Sequence, residues 1–151
     1  MRLLVADSDQ RYGAHLKEII ATCRLPDVVV DCVTSAQEAL SRLESCYYDL
    51  CFLEYKLDEP STGLDVLTGL HGSGTLTAFV LLTDFANKEA AFEALTLGAM
   101  DYLIKERFTA FELAKCIAYS MYLKRREVNL QTEALKDSLT GLGNKGLFEA
   151  Q

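Results

Sequence analysis

The stretch Asp49-Leu50-Cys51-Phe52-Leu53-Glu54-Tyr55-Lys56-Leu57-Asp58 decides how the rest of the chain is read. Leu50 to Leu53 form a continuous apolar run, as in strands buried on both faces of a parallel sheet, and the run stops abruptly at the charged Glu54. In open α/β sheets, ligands and chemistry gather just beyond such carboxyl ends. Glu54 is therefore the residue around which a site is expected.

Working outward from it, Arg2 to Ala6 predicts a first strand, followed by a helix through Tyr12, Leu16, Ile19, Ile20 and Cys23 that Ser8 or Asp9 can cap. Pro26-Asp27 breaks the chain, Val28 to Val33 predicts a second strand, and Ser35 with Glu38 forms a capping box for a helix through Leu43. After the Glu54 strand, the turn-forming run Asp58-Glu59-Pro60-Ser61-Thr62-Gly63 leads to a helix with Leu64, Val66, Leu67 and Leu70 that stops near His71-Gly72. A fourth strand is expected over 76–83, and a helix over 86–97 with Phe92 and Leu95 in its apolar set and Gly98 as its stop. A fifth strand follows over 100–104, and a last helix begins near Thr109. Five strands alternating with five helices require a parallel sheet with right-handed crossovers and helices on both faces. The fold expected is α/β: a doubly wound five-stranded parallel sheet in the flavodoxin-like order 2-1-3-4-5, with an extended C-terminal helix and a crevice between the first and third strand ends.

The 151 residues are 50% hydrophobic and 25% charged, which suits one well-packed globular domain plus an appendage. The formal net charge of -7 argues against a phosphate-backbone binder, so no direct nucleic-acid partner is expected. Cys23, Cys32, Cys46, Cys51 and Cys116 form no CxxC pair and are odd in number, and most sit in apolar segments. That usage predicts reduced thiols and a cytoplasmic location. No run approaches the roughly 20 apolar residues of a membrane span, and no signal-type segment precedes the first strand.

The expected topology gathers Asp7 and Asp9 after the first strand, Glu54 after the third, Thr83 after the fourth and Lys105 after the fifth. Any one of these polar residues can simply terminate a strand. Together they supply what phosphoryl transfer to a carboxylate needs: an acidic pocket for a hard cation, a hydroxyl and an ammonium for the incoming oxygens, and an acid as acceptor.

The runs Leu3-Leu4-Val5-Ala6-Asp7, Tyr48-Asp49-Leu50 with Phe52-Leu53-Glu54-Tyr55, Leu81-Leu82-Thr83, and Gly98-Ala99-Met100-Asp101-Tyr102-Leu103-Ile104-Lys105 resemble the receiver domain of a two-component response regulator over residues 1–120. The resemblance implies that Glu54 stands at the phospho-acceptor position, where the family usually has aspartate. It makes Asp7 a magnesium-binding acid, with Glu54 and the backbone carbonyl of Lys56 beside it. Thr83 becomes the switch hydroxyl, Lys105 the site lysine, and Tyr102 the aromatic that moves with Thr83. A histidine kinase becomes the expected input partner. Two further departures stand out: the family usually has an acid where this chain has Ala6, and a proline where it has Glu106. Magnesium binding is thus expected to be weak, because one carboxylate of an octahedral oxygen site is gone. Glutamate adds one methylene, about 1.5 Å, which should carry its oxygens towards Thr83 and Lys105 and into an ion pair with the lysine.

The last helix does not stop at the domain edge. Its pattern runs through Ile117, Met121, Val128 and Leu135, with Leu123 and Leu130 alongside, so residues 121–136 are expected to form a helical linker with a seam for a second copy, diluted by Lys124 and Gln131. Beyond it, Asp137-Ser138-Leu139-Thr140-Gly141-Leu142-Gly143-Asn144-Lys145-Gly146-Leu147-Phe148 resembles the opening of a GGDEF domain, the catalytic module of diguanylate cyclases, which would occupy residues 137–151 and continue past them. The function expected is a receiver module, not itself an enzyme, that regulates a cyclase through the helix as a homodimer. Two alternatives are a conventional receiver phosphorylated on Asp58 or another nearby acid, and a pure dimerisation module. A flavodoxin-like cofactor binder is disfavoured, because Asp7-Ser8-Asp9 presents negative charge where a flavin phosphate would need amides.

Overall fold

The computed structural model describes residues 1–70 and 74–143, with side chains described through residue 130. Strand β1 (Arg2–Ala6) leads into α1 (Gln10–Thr22), β2 (Val29–Val33) into α2 (Ala36–Ser45), and β3 (Leu50–Glu54) into α3 (Gly63–Leu70). Strand β4 (Ala78–Thr83) is followed by a 3₁₀ turn over Phe85–Asn87 and α4 (Glu89–Thr96), and β5 (Asp101–Ile104) by α5 (Ala110–Gly143). All pairings are parallel and the order is β2-β1-β3-β4-β5, as the alternation of elements required.

Alternation along the central strands divides the core in two. Leu4, Ala6, Cys51, Leu53, Phe79 and Leu81 face α2, α3 and α4, while Leu3, Val5, Leu50, Phe52, Val80 and Leu82 face α1 and α5. Near-complete burial of β1, β3 and β4 on both faces is why their sequences read as unbroken apolar runs. No helix of the described residues is long and apolar enough to cross a membrane.

Capping follows the local chemistry. Asp9, not Ser8, caps α1, accepting the Arg11 amide at 2.9 Å, and Ser35 accepts the Glu38 amide at 3.1 Å to open α2. Gly98, at a φ of 107° that side chains disfavour, ends α4. The stop expected at His71-Gly72 lies outside the described residues.

Two expectations are corrected. The fourth strand starts at Ala78 and leaves Leu76 outside it, because Thr77 turns its hydroxyl to the carbonyl of Tyr48 at 2.8 Å. The helix expected over 86–97 is split, because Asp84 accepts the Asn87 amide at 3.0 Å and holds the first turn in a tighter form. Its apolar set is also turned round: Ala90, Ala91 and Ala94 are buried, and Phe92 and Leu95 are 67% and 40% exposed. Small residues let α4 lie close to the sheet, which leaves no room for the larger side chains on that side.

At the amino end of the sheet, Asp31 on β2 gathers three elements. Its Oδ2 accepts from the hydroxyl of buried Tyr48 at 2.7 Å and from the Arg2 guanidinium at 3.1 Å, with Arg42 at 3.5 Å. The Tyr48 hydrogen bond, then the Arg2 contact, hold the Asp31 carboxyl below its ordinary range against the opposing effect of burial. A carboxyl lowered in the folded state contributes stability that is complete above its unfolded pKa, near 4, and is lost as pH falls through the folded value. Asp31→Asn should therefore cost about 1 to 2 kcal/mol near neutral pH. Urea melts of the two proteins should converge as pH falls below the ordinary carboxyl range; a gap that stays constant through that range would mean the network does not act as described.

Candidate functional site

Register places the site residues before any side chain is considered. Ala6 pairs with Leu53, Glu54 with Leu82, and Thr83 with Ile104, so the residues at or just past four strand ends come to one rim. Backbone hydrogen bonds continue the ladder beyond the strands, from Asp7 to Val33 at 3.0 Å, Tyr55 to Leu82 at 2.7 Å and Lys105 to Thr83 at 2.8 Å. Glu106 then takes a φ of 61°. A proline, locked near −65°, cannot adopt that value, so the loop after Lys105 has a course of its own.

The ammonium of Lys105 is the centre of the rim. It lies 2.5 Å from Glu54 Oε2 and 2.7 Å from Asp7 Oδ2, the latter an ion pair aligned poorly for a hydrogen bond. The ring of Tyr12, in the first turn of α1, lies 4.2 Å from the same ammonium, close enough for cation–π attraction. The second Glu54 oxygen, Oε1, accepts from the Ser8 amide at 2.9 Å and the Ser8 hydroxyl at 2.7 Å. The ion pair with Lys105 is as expected, but Glu54 does not turn to Thr83. That hydroxyl faces its own loop, within 3.2 Å of the Asn87 carbonyl and 3.3 Å of the Asp84 carbonyl. With both Glu54 oxygens satisfied elsewhere, nothing draws Thr83 towards the pocket. Tyr102 is partly buried against the α2–α4 core.

Burial of Asp7 is almost complete, at 1% exposure, against 18% for Lys105 and 13% for Glu54. Burial pushes the Asp7 carboxyl up; Lys105 and the Asp9 amide pull it back only in part, and Glu54 adds to the rise. Burial alone would lower Lys105, but Asp7 and Glu54 outweigh it and hold its pKa up. The two partners thus respond differently to one contact. Facing two carboxylates, the ammonium stays protonated. Tyr12 is pushed up to about 12, first by burial and then by the charges of Asp7, Glu106 and Glu54.

A resident magnesium ion does not fit this arrangement. Asp7, Glu54 and the Lys56 carbonyl, the three ligands expected, are brought together, but protein groups engage each of them. Asp7 Oδ1 accepts the Asp9 amide at 2.9 Å, the Lys56 carbonyl accepts from the Ser8 hydroxyl at 3.2 Å, and the remaining carboxylate oxygens meet Lys105 or Ser8. Ala6 supplies no further acid. Asp58, the alternative acceptor, accepts the Ala36 amide at 2.8 Å and so serves the start of α2.

Sequence reading missed Ser8 and Tyr12 as site residues. In the sequence Ser8 stands out only as a capping candidate, yet once Asp9 takes that role its hydroxyl is free for the site. Tyr12 falls in the apolar pattern of α1, and nothing local distinguishes a ring under a lysine from a ring in a core.

The model of the response regulator receiver domain matches residues 3–118. The chain belongs to the response regulator receiver family. Among curated relatives, the receiver is 32% identical over 111 residues to the alginate biosynthesis transcriptional regulatory protein AlgB of Pseudomonas aeruginosa, covering 74% of this chain and 24% of AlgB. It is 34% identical over 126 residues to the response regulator protein PmrA of the same organism, covering 83% of this chain and 53% of PmrA. This chain thus spans from about a quarter to about half of these relatives. Among solved structures, a response regulator receiver domain protein from Clostridium thermocellum superposes with a TM-score of 0.71 at 24% identity, covering 82% of this chain and 96% of that one. That likeness establishes the fold of the receiver.

Proposed function

We propose that this receiver is the regulatory module of a longer signalling protein, works without aspartyl phosphorylation, and controls a diguanylate cyclase through α5. One observation carries the reading: Glu54, at what we take to be the acceptor position, has both oxygens occupied, by Lys105 and Ser8, while Asp7 shares the same ammonium. An acceptor needs a free carboxylate oxygen in line with the incoming phosphorus. It also needs a cation for the phosphoryl charge, and here the acidic pocket holds its own. Asp58, the alternative acceptor, accepts the first amide of α2, and nearby Asp9 caps α1. Glu54 carries a charge of −1, against roughly −1.5 to −2 for a phosphoryl group, and Thr83 is turned away from it. The geometry supports a site set by its own side chains and not one imitating the phosphorylated state.

The cyclase output rests on residues 137–148, of which 144–148 lie outside the described residues. AlgB is named a transcriptional regulatory protein, which is the competing output and would be carried by a domain beyond this chain. Phe92 and Leu95 on α4 and Tyr119 on α5 are exposed apolar groups that favour pairing of two copies.

Acetyl phosphate or beryllofluoride, each with magnesium, tests the reading. Intact-mass spectra should show no phosphoryl adduct, and melting should not shift in a magnesium-dependent way. An adduct, or such a shift, would replace the proposal with a conventional receiver fed by a histidine kinase.

A further inference from the structure

We infer that the receiver grips its own output helix by the face that would pair with a second copy, so that dimerisation along α5 requires the grip to open. The inference rests on the reading of α5 as the output path. Leu113, Cys116, Ile117 and Ser120 of α5 are buried against the sheet. Ile117, expected to belong to a seam between copies, is thus core. The helix then runs past the amino end of the sheet, opposite the Lys105 site, and the same face stays engaged for two more turns. Met121 packs on the edge of the core, and the Lys124 side chain is only 15% exposed, with its ammonium 2.8 Å from Glu127. Met121, Lys124 and Val128 share a cavity of about 180 Å³ with Tyr47, Asp49 and Leu76, residues of the segments that lead into β3 and β4.

Ile117, Met121, Lys124 and Val128 follow each other at spacings of four, three and four, which is the pattern of a coiled-coil seam. A side chain turned to the receiver's lower rim cannot also fill a hole in a partner helix, so the two arrangements exclude each other. The rim is built to yield. Tyr47 and Leu76 are 57% and 52% exposed, and the space between rim and helix is incompletely filled. Loose packing forfeits much of the dispersion energy that a close seam would recover. Tyr119, Tyr122 and Leu130 lie on other faces of α5 and are exposed, so they can meet a second copy in either state, and the rim-facing stripe alone distinguishes closed from open.

The test is Tyr47→Ala with Leu76→Ala in the full chain, and separately Leu76→Glu, compared with wild type by hydrogen exchange and sedimentation. Both positions are half-exposed, so exchange in β1 and β3 should match wild type and certify the fold. Amides over 121–130 should lose at least about tenfold protection, and the dimer dissociation constant should fall at least about tenfold. Unchanged protection would mean that the rim does not grip the helix. Lost protection with unchanged or weaker association would mean that it grips without competing, and either result overturns the inference. A phosphoryl adduct in the previous experiment would overturn the functional reading while leaving these two readouts intact.

Discussion

Lys105→Ala should lower the unfolding free energy by about 2 to 4 kcal/mol. Removing one member of a buried ion pair commonly costs about 3 to 5 kcal/mol, because its partner is left charged and undersolvated. Here one ammonium serves two carboxylates, at 2.5 and 2.7 Å, and Asp7 is closed to solvent. Truncation thus leaves two carboxylates facing each other with no counterion, and the cost is relieved in part by water at the partly exposed Glu54 and by proton uptake at Asp7, whose carboxyl burial and Glu54 already push up. The origin of the loss is separable. Asp7→Asn in the Lys105→Ala background removes one of the unpaired charges and should recover a substantial part of the stability. Denaturant melts in which Lys105→Ala matches wild type, or in which Asp7→Asn brings no recovery, would show that the cluster is not held together by this ammonium.

Gly63→Ala should cost about 2 to 3 kcal/mol, a large penalty for one methyl group. Gly63 opens α3, donates its amide to the Tyr55 carbonyl at 2.9 Å, and lies against the end of β3. A Cβ built on it would stand 2.5 Å from the carbonyl oxygen of Glu54 and 3.2 Å from its carbonyl carbon. The third neighbour, Leu81 Cδ1 at 3.3 Å, can turn aside; the backbone of Glu54 cannot, since β3 is hydrogen-bonded between β1 and β4. Either α3 backs away or the end of β3 moves and takes the Glu54 carboxylate with it. Glycine is required here for close approach, not for an unusual φ. Equal midpoints for Gly63→Ala and wild type in urea would refute the account, and a shifted Lys105 side-chain resonance would identify which element moves.

How much of this could be read beforehand differs from element to element. Leu50 to Leu53 announced a strand buried on both faces, and the polar residues beyond each run marked the rim, because burial and termination are recorded locally in the order of residues. The assembly of Asp7, Glu54, Thr83 and Lys105 followed once the parallel order was inferred. The orientation of Thr83 did not follow, because it depends on whether Ser8 or Thr83 reaches the second Glu54 oxygen. That is a competition settled by about one methylene of length and by which residue caps α1. Phe92 and Leu95 misled for a related reason: three alanines at the right spacing form a weaker apolar signal than an aromatic and a leucine, yet only alanines fit where α4 approaches the sheet.

The same contrast governs the long helix. Its continuation past the domain edge and its spacing of four, three and four were present in the sequence alone, as were the five-stranded α/β fold, the acidic rim and the carboxylates beside Lys105, but not Tyr12 or Ser8. What those apolar positions face was decided only in three dimensions. Ile117 turned out to be core, and Met121 and Val128 to lie over Tyr47 and Leu76, which are separated from them by tens of residues in the chain. A periodic stripe specifies which side of a helix must be covered, but coverage by its own domain and coverage by a partner demand the same pattern, and only the position of the rim tells them apart.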